Sequence, residues 1–380
     1  MNVLTRLGCA AVMSAALTAA GAGSASAATT HPRFDHAPQP AVFVQTDNPA
    51  GNQVVAYDRA IDGTLSYANT SATGGLGGIL RGSVVDHLAS QGSLAYDQGH
   101  GLLYAVNAGS NTVSVFSARG DHLTLRQVVG SGGTFPVSVA VHGDLVAVLN
   151  AENGGSVQEY GVGLDHLFPV PGWRRSLGLD PSATPQFTHT PGQVAFSPDG
   201  SKLVVTTKAN GNDIDVFGVG RLGSLAPVPV VNSEPGTVPF GITFDRSGHL
   251  VVTETGLNAL ATFTLNPNGT VTPVASVASG QAATCWVAPV DGELITSNAG
   301  SASLSTYRSG SHGGLALLGT TSTDPGTVDA SASPDGHFFY VQTGANGVVD
   351  EFHVNPNGSL DRVGAVTVPD AAGGEGIVAL

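Results

Sequence analysis

The sequence is short of charge and of cysteine. Charged residues make up 11% of the 380 residues, and the only cysteines are Cys9 and Cys285. Cys9 lies in an N-terminal stretch that we expect to be removed, so the mature chain would keep a single thiol and could form no internal disulfide. Stability must then come from the burial of apolar side chains, and we expect Cys285 to be a buried thiol.

Familiar catalytic and ligand-binding motifs are absent as well. The chain has no H-E-x-x-H, no G-x-S-x-G, no P-loop and no paired C-x-x-C. The glycine cluster at positions 74–78 opens no helical pattern, so a loop is expected there and not a nucleotide site. The histidines share no ligand spacing. We therefore expect neither a bound metal nor a cofactor.

The charge that is present is mostly negative. The formal net charge is −14, with 14 Lys+Arg against 28 Asp+Glu. A protein this acidic should avoid nucleic acid and anionic membrane surfaces. No apolar run in the body of the chain approaches the roughly 20 residues that a membrane span needs, so no membrane span is expected.

The N-terminus has the pattern of a secretory signal. Arg6 precedes an apolar stretch at 7–20, and Ala25-Ser26-Ala27 is a typical cleavage motif. We predict a signal peptide at residues 1–27 that is cleaved after Ala27, a linker at 28–40 and a single domain at 41–380. The protein is expected to be secreted and monomeric.

Turn residues and short β-rich runs dominate the remainder. The chain has 52 glycines, and a unit exemplified by residues 191–217 recurs. Its third strand ends each time on an aromatic residue, most often about 45 residues after the last, which is typical of four-stranded propeller blades. The seven aromatics are Tyr57, Phe116, Tyr160, Phe217, Phe263, Tyr307 and Phe352. The pattern predicts an all-β, seven-bladed propeller of antiparallel sheets.

The first blade lacks an upstream inner strand. Residues 376–380, Gly-Ile-Val-Ala-Leu, match the inner-strand pattern at the other end of the chain. We therefore predict that the C-terminal strand pairs beside Ala41–Val44 and closes the ring, which removes open sheet edges. Insertions are expected at 73–89 and at 165–189, both on the face around the channel mouth.

Candidate site residues follow from the repeat, because the second strand of each blade should end at the channel mouth. A ring of amides with a cation and carboxylates would hold a polar ligand or polarise a carbonyl group. Alternatively, each asparagine only closes a turn. The second insertion adds two arginines beside Trp173, either as an edge cover or as an anion-binding loop. The candidates are Lys208 and Glu254 as catalytic groups, and Asn48, Asn107, Asn150, Glu152, Arg174, Arg175, His189 and Asn298 as ligand-binding groups.

Several stretches carry a family resemblance. They are residues 57–59, 62–65, 106–116, 194–200 and 357–360. On them, nearly all of the chain after residue 40 resembles the seven-bladed β-propeller lactonase family, which includes bacterial phosphogluconolactonases and carboxymuconate cycloisomerase-like proteins. The resemblance implies a propeller and lactone chemistry.

The motifs that the resemblance would supply for the active site are largely missing. The family's His-x-His falls on Thr190 and Gly192, its Pro-Arg-His reads Pro239-Phe240-Gly241, and an arginine of a Ser-Asn-Arg-Gly motif is replaced by Ala299. The family's glutamate falls at Glu254 or Thr255.

Two functions stay open from the sequence. The first is an extracellular binding module that holds a small polar ligand, a cell-wall glycan or a protein at the channel mouth. The second is a lactonase acting on an unphosphorylated lactone, with Glu254 as the base and Lys208 and the asparagines holding the carbonyl oxygen. A muconate-type cycloisomerase is a further alternative.

Overall fold

The computed structural model describes residues 40–380, and they form seven four-stranded antiparallel sheets arranged as the blades of a propeller. The predicted signal peptide and most of the predicted linker lie outside the described residues. Helical structure among these described residues consists of α1 (Lys208–Gly211) and two 3₁₀ turns, Ala108–Ser110 and Gln186–Thr188. No helix among residues 40–380 has the length and apolar character needed to cross a membrane.

The two inner strands of each blade carry most of the core. The innermost strands of blades one to seven are, in order, β28 (Ile377–Ala379), β4 (Leu94–Asp97), β8 (Pro136–His142), β12 (Val194–Phe196), β16 (Pro239–Phe244), β20 (Thr284–Val290) and β24 (Thr327–Ala332). The second strands are β1 (Ala41–Gln45), β5 (Leu102–Asn107), β9 (Leu145–Asn150), β13 (Lys202–Thr206), β17 (Leu250–Glu254), β21 (Glu293–Asn298) and β25 (Phe338–Thr343). Both faces of a second strand meet neighbouring blades, so these strands are apolar runs that are buried almost throughout.

The outer half of each blade turns towards solvent. The third strands are β2 (Gln53–Arg59), β6 (Thr112–Arg119), β10 (Ser156–Gly163), β14 (Asp213–Gly218), β18 (Ala259–Leu265), β22 (Ser303–Ser309) and β26 (Val348–Val354). The outer strands are β3 (Leu65–Ala72), β7 (His122–Gly130), β11 (His166–Ser176), β15 (Val230–Ser233), β19 (Val271–Ala278), β23 (Leu315–Ser322) and β27 (Leu360–Thr367). Side chains on the outer strands are largely exposed or half-buried, as expected for the rim of the ring.

The seven repeat aromatics pack between the blades. All are at most 2% exposed, and burial of an aromatic side chain of this kind contributes about 1.5–3 kcal/mol. The Tyr160 hydroxyl also donates to the carbonyl oxygen of Gly130 (2.5 Å), at the end of the outer strand of the preceding blade. The aromatic side chains therefore fill the contacts between each blade and its neighbour.

The C-terminal strand closes the ring, as the sequence predicts. In β28, Ala379 pairs with Val42 and Ile377 pairs with Val44 in antiparallel register. The N–H of Leu380 donates to the carbonyl oxygen of Ala41 (2.8 Å). Each innermost strand contacts the innermost strand of the next blade, and β28 contacts both β24 and β4.

The second predicted insertion is shorter than expected. Strand β11 continues to Ser176, because after a register shift near Gln158 its last residues pair again with β10. Trp173, Arg174 and Arg175 therefore lie in an outer strand, and the prediction of a loop at these positions is wrong. Only the chain from 177 to 193 connects blade three to blade four.

The register of the closing strand can be tested with an engineered disulfide. Val42 and Ala379 are directly opposed as a non-hydrogen-bonded pair, the position where side chains of antiparallel strands come closest, so V42C with A379C should form a disulfide under oxidising conditions. The cross-link should raise the free energy of unfolding by about 2–4 kcal/mol, measured by denaturant titration with and without reductant.

The matched control is V42C with V378C, in which the two side chains point to opposite faces of the sheet. It should stay reduced by thiol counting. Efficient cross-linking of the control, or none in the first pair, would contradict the register of the closing strand.

Candidate functional site

The channel mouth is filled by a segment of the chain. Residues 76–92, which we call the plug, form most of the connection between β3 and β4 and lie across the ends of the innermost strands. The N–H of Gly77 donates to the carbonyl oxygen of Asn48 in blade one (3.0 Å), and the N–H of Gly109 in blade two donates to that of Leu76 (3.1 Å). The plug is therefore fastened to the first two blades where it begins.

The plug crosses the propeller axis. The Gln91 amide of the plug donates to the carbonyl oxygen of Val287 (2.7 Å) and accepts from the N–H of Val287 (3.0 Å), as a neighbouring β-strand would. The indole N–H of Trp286 donates to the carbonyl oxygen of Ser90 (2.6 Å). Blade six is thus joined to the segment that leads into blade two.

The remaining blades also touch the plug. The Ser90 hydroxyl donates to the carbonyl oxygen of Val137 in blade three (2.9 Å). In blades five and seven, a Cβ at Gly241 would collide with the Gln91 side chain, and a Cβ at Gly344 would overlap the carbonyl oxygen of Val85. Glycine at these two positions lets the plug approach the backbone closely.

Lys208 holds the plug from blade four. It is one of only two lysines in the chain, and it is 2% exposed. Its ammonium group donates to the carbonyl oxygens of Ala89 (2.6 Å) and Phe187 (2.7 Å) and to the Thr190 hydroxyl (3.0 Å). Burial lowers the pKa of Lys208 to about 7, a shift that the nearby Asp86 carboxyl partly offsets.

A group of buried carboxyls surrounds the base of the plug. Burial raises the pKa of Asp47 to about 8, of Asp86 to about 7 and of Asp329 to about 6, and it raises the pKa of Glu375 well above its ordinary value. Glu375 accepts from the N–H of Gly92 in the plug (2.7 Å). Within residues 40–380, no group of three or more His, Cys, Asp or Glu is placed to hold a metal ion.

The plug changes what the channel mouth can do. The sequence places an insertion at this face but leaves an axial opening in the middle of the rim loops. The structure contradicts the opening, because the first insertion folds inward and makes hydrogen bonds on the axis.

The side chains of three predicted ligand-binding asparagines make hydrogen bonds inside the protein. Asn107, Asn150 and Asn298 are fully buried. Asn107 donates to the Ser114 hydroxyl (2.8 Å), Asn150 to the carbonyl oxygen of Ser131 (3.1 Å), and Asn298 to the Ser305 hydroxyl (3.0 Å). Asn48 is half-buried, and its side chain accepts from the N–H of Ala50 (2.9 Å) in a tight turn.

Glu254 and Lys208 do not share a site. The Glu254 carboxylate accepts from the Ser276 hydroxyl (2.6 Å) on the outer strand β19, so it points towards the rim of its blade. Lys208 points to the plug. The predicted pairing of these two groups about one carbonyl oxygen is therefore absent in this structure.

Two other candidates do meet. Glu152 and His189 line one cleft between blades three and four on the channel-mouth face, together with Asp180, Gln186, Thr190 and Asn210. The Gln186 amide donates to Glu152 (2.8 Å). The Asn210 amide donates to the backbone carbonyl oxygens of Asp180 and His189, both at 2.9 Å, and so fixes the wall that carries the histidine.

The hydrogen bonds of His189 assign its tautomer. Nδ1 lies 2.9 Å from the carbonyl oxygen of Pro185 and 2.9 Å from the Thr188 hydroxyl. Since a carbonyl oxygen can only accept, Nδ1 carries a proton, and in the neutral ring the lone pair is on Nε2. The Asp180 carboxylate interacts electrostatically with the ring.

The two predicted arginines lie away from this cleft. Arg174 is exposed on β11. Arg175 donates to the carbonyl oxygens of Ala226 (2.8 Å) and Leu225 (2.6 Å), which joins the outer edges of blades three and four. An anion-binding role for either arginine stays an untested prediction.

Comparison with known proteins decides the family. The model of a family described as lactonase, 7-bladed beta-propeller, matches residues 57–373. This protein belongs to that seven-bladed propeller lactonase family. No curated protein matches the chain at a significant level.

Solved structures share the fold of this lactonase-family protein. The periplasmic gluconolactonase of Pseudomonas aeruginosa has a TM-score of 0.71 at 17% identity, over 90% of this chain and 99% of that one. A protein from Lactobacillus plantarum has a TM-score of 0.72 at 18% identity, over 90% and 99%. The virginiamycin B lyase of Staphylococcus aureus has a TM-score of 0.53 at 11% identity, over 76% and 88%. At these identities the likeness shows the fold alone.

The sequence analysis missed most of the residues that surround the cleft between blades three and four. Asp180, Gln186 and Asn210 are polar residues in loops, and no spacing relates them to Glu152 or His189. The burial expected for Cys285 is confirmed, at 8% exposed. Burial raises the pKa of this thiol to about 12, which argues against a nucleophilic role.

The hydrogen bonds of the buried Lys208 ammonium group should contribute to the free energy of unfolding. K208M should lower the free energy of unfolding by about 1–3 kcal/mol, because it leaves the carbonyl oxygens of Ala89 and Phe187 buried without a donor. K202M is the matched control, since Lys202 is the chain's other lysine, lies in the same blade and bonds only the neighbouring Ser201 carbonyl oxygen (3.4 Å). Equal losses of unfolding free energy in the two variants would contradict a stabilising role for the Lys208 hydrogen bonds.

Proposed function

We propose that this protein is a lactone hydrolase whose reaction takes place in the cleft between blades three and four. The observation that carries the proposal is the convergence of Glu152, His189 and Thr190 in one cleft on the channel-mouth face of a lactonase-family propeller. His189 is half-buried, and the Nδ1 contact with Pro185 leaves Nε2 of the neutral ring as the nitrogen with a lone pair. A neutral imidazole of this kind can act as a general base.

Each group has a part in the reaction. Nε2 of His189 removes a proton from water as the water oxygen attacks the lactone carbonyl carbon. The Thr190 hydroxyl accepts from Lys208 (3.0 Å), so its own proton is available to donate to the developing oxyanion. Collapse of the tetrahedral species breaks the ring C–O bond, and the imidazolium returns the proton to the leaving alkoxide. The product is the hydroxy acid.

Lys208 acts through Thr190 in this scheme. The buried ammonium group orients the threonine oxygen and polarises its O–H bond, but it does not reach the substrate itself. Lys208 is therefore a positioning residue. Glu254, which bonds Ser276 at the rim of another blade, has no part in the reaction.

The charge of the cleft favours an uncharged lactone. Glu152 and Asp180 line it, and no lysine or arginine does. A phosphorylated or carboxylated lactone would place its negative charge beside these carboxylates with no cation to pair it. A neutral sugar lactone brings no such charge, and the name of the gluconolactonase from Pseudomonas aeruginosa agrees with such a substrate.

A binding module is the second candidate. The plug occupies the channel mouth, and Gly241 and Ala299 stand where the family resemblance would put a histidine and an arginine. These departures support a propeller that binds a polar ligand, a glycan or a protein on this face and catalyses no reaction.

The test of hydrolysis is a lactone panel followed by pH-stat titration. Glucono-δ-lactone and γ-butyrolactone should be opened, and 6-phosphogluconolactone should be opened more slowly. H189Q should lower kcat about 10²- to 10⁴-fold, because it removes the base. T190V should also lower kcat, whereas T190S should restore much of it by keeping the hydroxyl.

The controls separate the alternatives. H312Q changes an exposed histidine in a turn and should leave turnover unchanged. Full activity in H189Q, or a loss in E254Q instead, would overturn the assignment of the base. A different result would overturn hydrolysis in favour of the binding module. In that case no lactone of the panel is turned over, but one of them binds saturably in calorimetry and E152Q abolishes the binding.

We also propose that the protein is exported. Support comes from the arginine, apolar stretch and cleavage motif at residues 1–27. Expression of the full chain in a secreting bacterial host should give a protein in the medium whose first residue, by N-terminal sequencing, is Ala28. An intact Met1 on protein retained in the cytoplasm would contradict export.

A further inference from the structure

The plug rests on carboxyl groups that have too few cations to be ionised together. Asp47 and Glu375 face it from blade one, Asp329 faces it from blade seven, and Asp86 belongs to the plug itself. All four are at most 4% exposed. Lys208 is the cation that interacts with Asp86.

Among residues 40–380, Lys208 is the cation that these carboxyls meet. His87, in the plug, is half-buried, and burial lowers its pKa, which disfavours its charged form. Cys285 interacts with both Lys208 and Asp86, and burial keeps it as the thiol. With every carboxyl ionised, the axis would carry four negative charges against one ammonium, in surroundings that water does not reach. Such a state is strongly unfavourable.

The geometry shows how the cluster avoids that state. The carboxyl group of Asp329 lies beside that of Glu375, whose buried Oε2 has no donor among the described residues, so a hydrogen bond between the two groups requires one of them to be protonated. The Glu375 backbone N–H donates to Asp47 (2.7 Å), and Glu375 Oε1 accepts from the N–H groups of Gly92 (2.7 Å) and Ser93 (3.3 Å). The protonated cluster is therefore bonded directly to the end of the plug.

We propose that residues 76–92 are a pH-operated plug, which is seated across the channel mouth while the Asp47–Asp86–Asp329–Glu375 cluster retains protons and is released when the cluster ionises. Loss of the shared proton sets two carboxylates against each other at the point where Gly92 is held. Release must then overcome the remaining hydrogen bonds of the plug, among them those with Val287, Trp286 and Lys208. The inference does not rest on lactone hydrolysis.

The sign of the effect follows from the direction of the shifts. Each carboxyl has a higher pKa in the folded protein than in the unfolded chain. The stability that the cluster contributes is therefore fully present below about pH 4 and is lost as pH rises through about 6 to 8, because burial raises the pKa of Asp329 to about 6, of Asp86 to about 7 and of Asp47 to about 8. Lys208, whose pKa falls to about 7, loses its charge over the same range and cannot compensate at higher pH.

The chain carries its own reporter of plug release. Its two tryptophans are Trp173 and Trp286, and Trp286 is 4% exposed with its indole N–H bonded to Ser90. In a W173F background, the fluorescence of Trp286 reports only the plug. Acrylamide quenching should rise several-fold between pH 5 and pH 9, while far-UV circular dichroism shows that the propeller stays folded.

Neutralising the cluster should remove the response. E375Q keeps an acceptor for Gly92 and can donate to Asp329 without ionising, so Trp286 should stay protected up to pH 9. D47N is the second variant, should E375Q fail to fold. The matched control is E351Q, because Glu351 is also a buried carboxyl whose pKa burial raises, to about 7, but it lies on β26 at the junction with blade one.

The outcomes are distinct. Release in the W173F protein and in its E351Q variant, but not in E375Q or D47N, would support the plug. Protection of Trp286 at every pH, an unchanged transition in E375Q and D47N, or loss of circular dichroism together with quenching would each overturn it. A lactone panel without turnover would leave all of these readouts unaffected.

Discussion

The hydrogen bonds that Gln91 makes with Val287 across the axis are the contacts on which the rest of the site depends. A propeller of seven blades leaves a space at its centre, and here the chain fills that space with its own first insertion. The Gln91 side chain bonds both backbone groups of Val287 in blade six, as a paired strand would. The indole N–H of Trp286 donates to the carbonyl oxygen of Ser90, the preceding residue of the plug. The ring of polar strand ends that would otherwise surround an opening is covered.

Filling the axis has consequences for chemistry on this face. Lys208 is buried against the plug and becomes a structural cation that also orients Thr190. The polar groups that stay accessible are displaced to one side, in the cleft between blades three and four, where the connection at 177–193 supplies His189. The plug and the cleft are linked through Gln186, which accepts from the N–H of Arg81 (2.9 Å) and donates to Glu152 (2.8 Å).

Much of the fold could be predicted from the sequence, because a propeller is built from local repeats. The spacing of the seven aromatics sets the number of blades, and a first blade without an inner strand requires the C-terminal strand to return to Val42–Val44. The end of β11 could not be predicted, since it depends on a register shift opposite Gln158. Pattern alone does not distinguish a long outer strand from a loop.

The site was less predictable for a physical reason. The repeat pattern predicts that Asn107, Asn298 and Glu254 lie at strand ends. It does not predict whether each side chain turns towards the axis or towards the next strand. Each of these finds a hydroxyl partner on a strand farther out in its own blade. The inward fold of the plug depends on contacts with all seven blades, such as the close approach of Val85 to Gly344, and no single stretch of sequence contains them.

The most direct test of a filled channel mouth is amide hydrogen exchange of residues 88–92 at pH 6, in the intact protein. The N–H groups of Leu88, Ser90, Gln91 and Gly92 all donate to buried acceptors. We expect them to exchange as slowly as amides of the buried second strands, such as those of β5. Exchange within seconds, as in an exposed surface loop, would contradict the account.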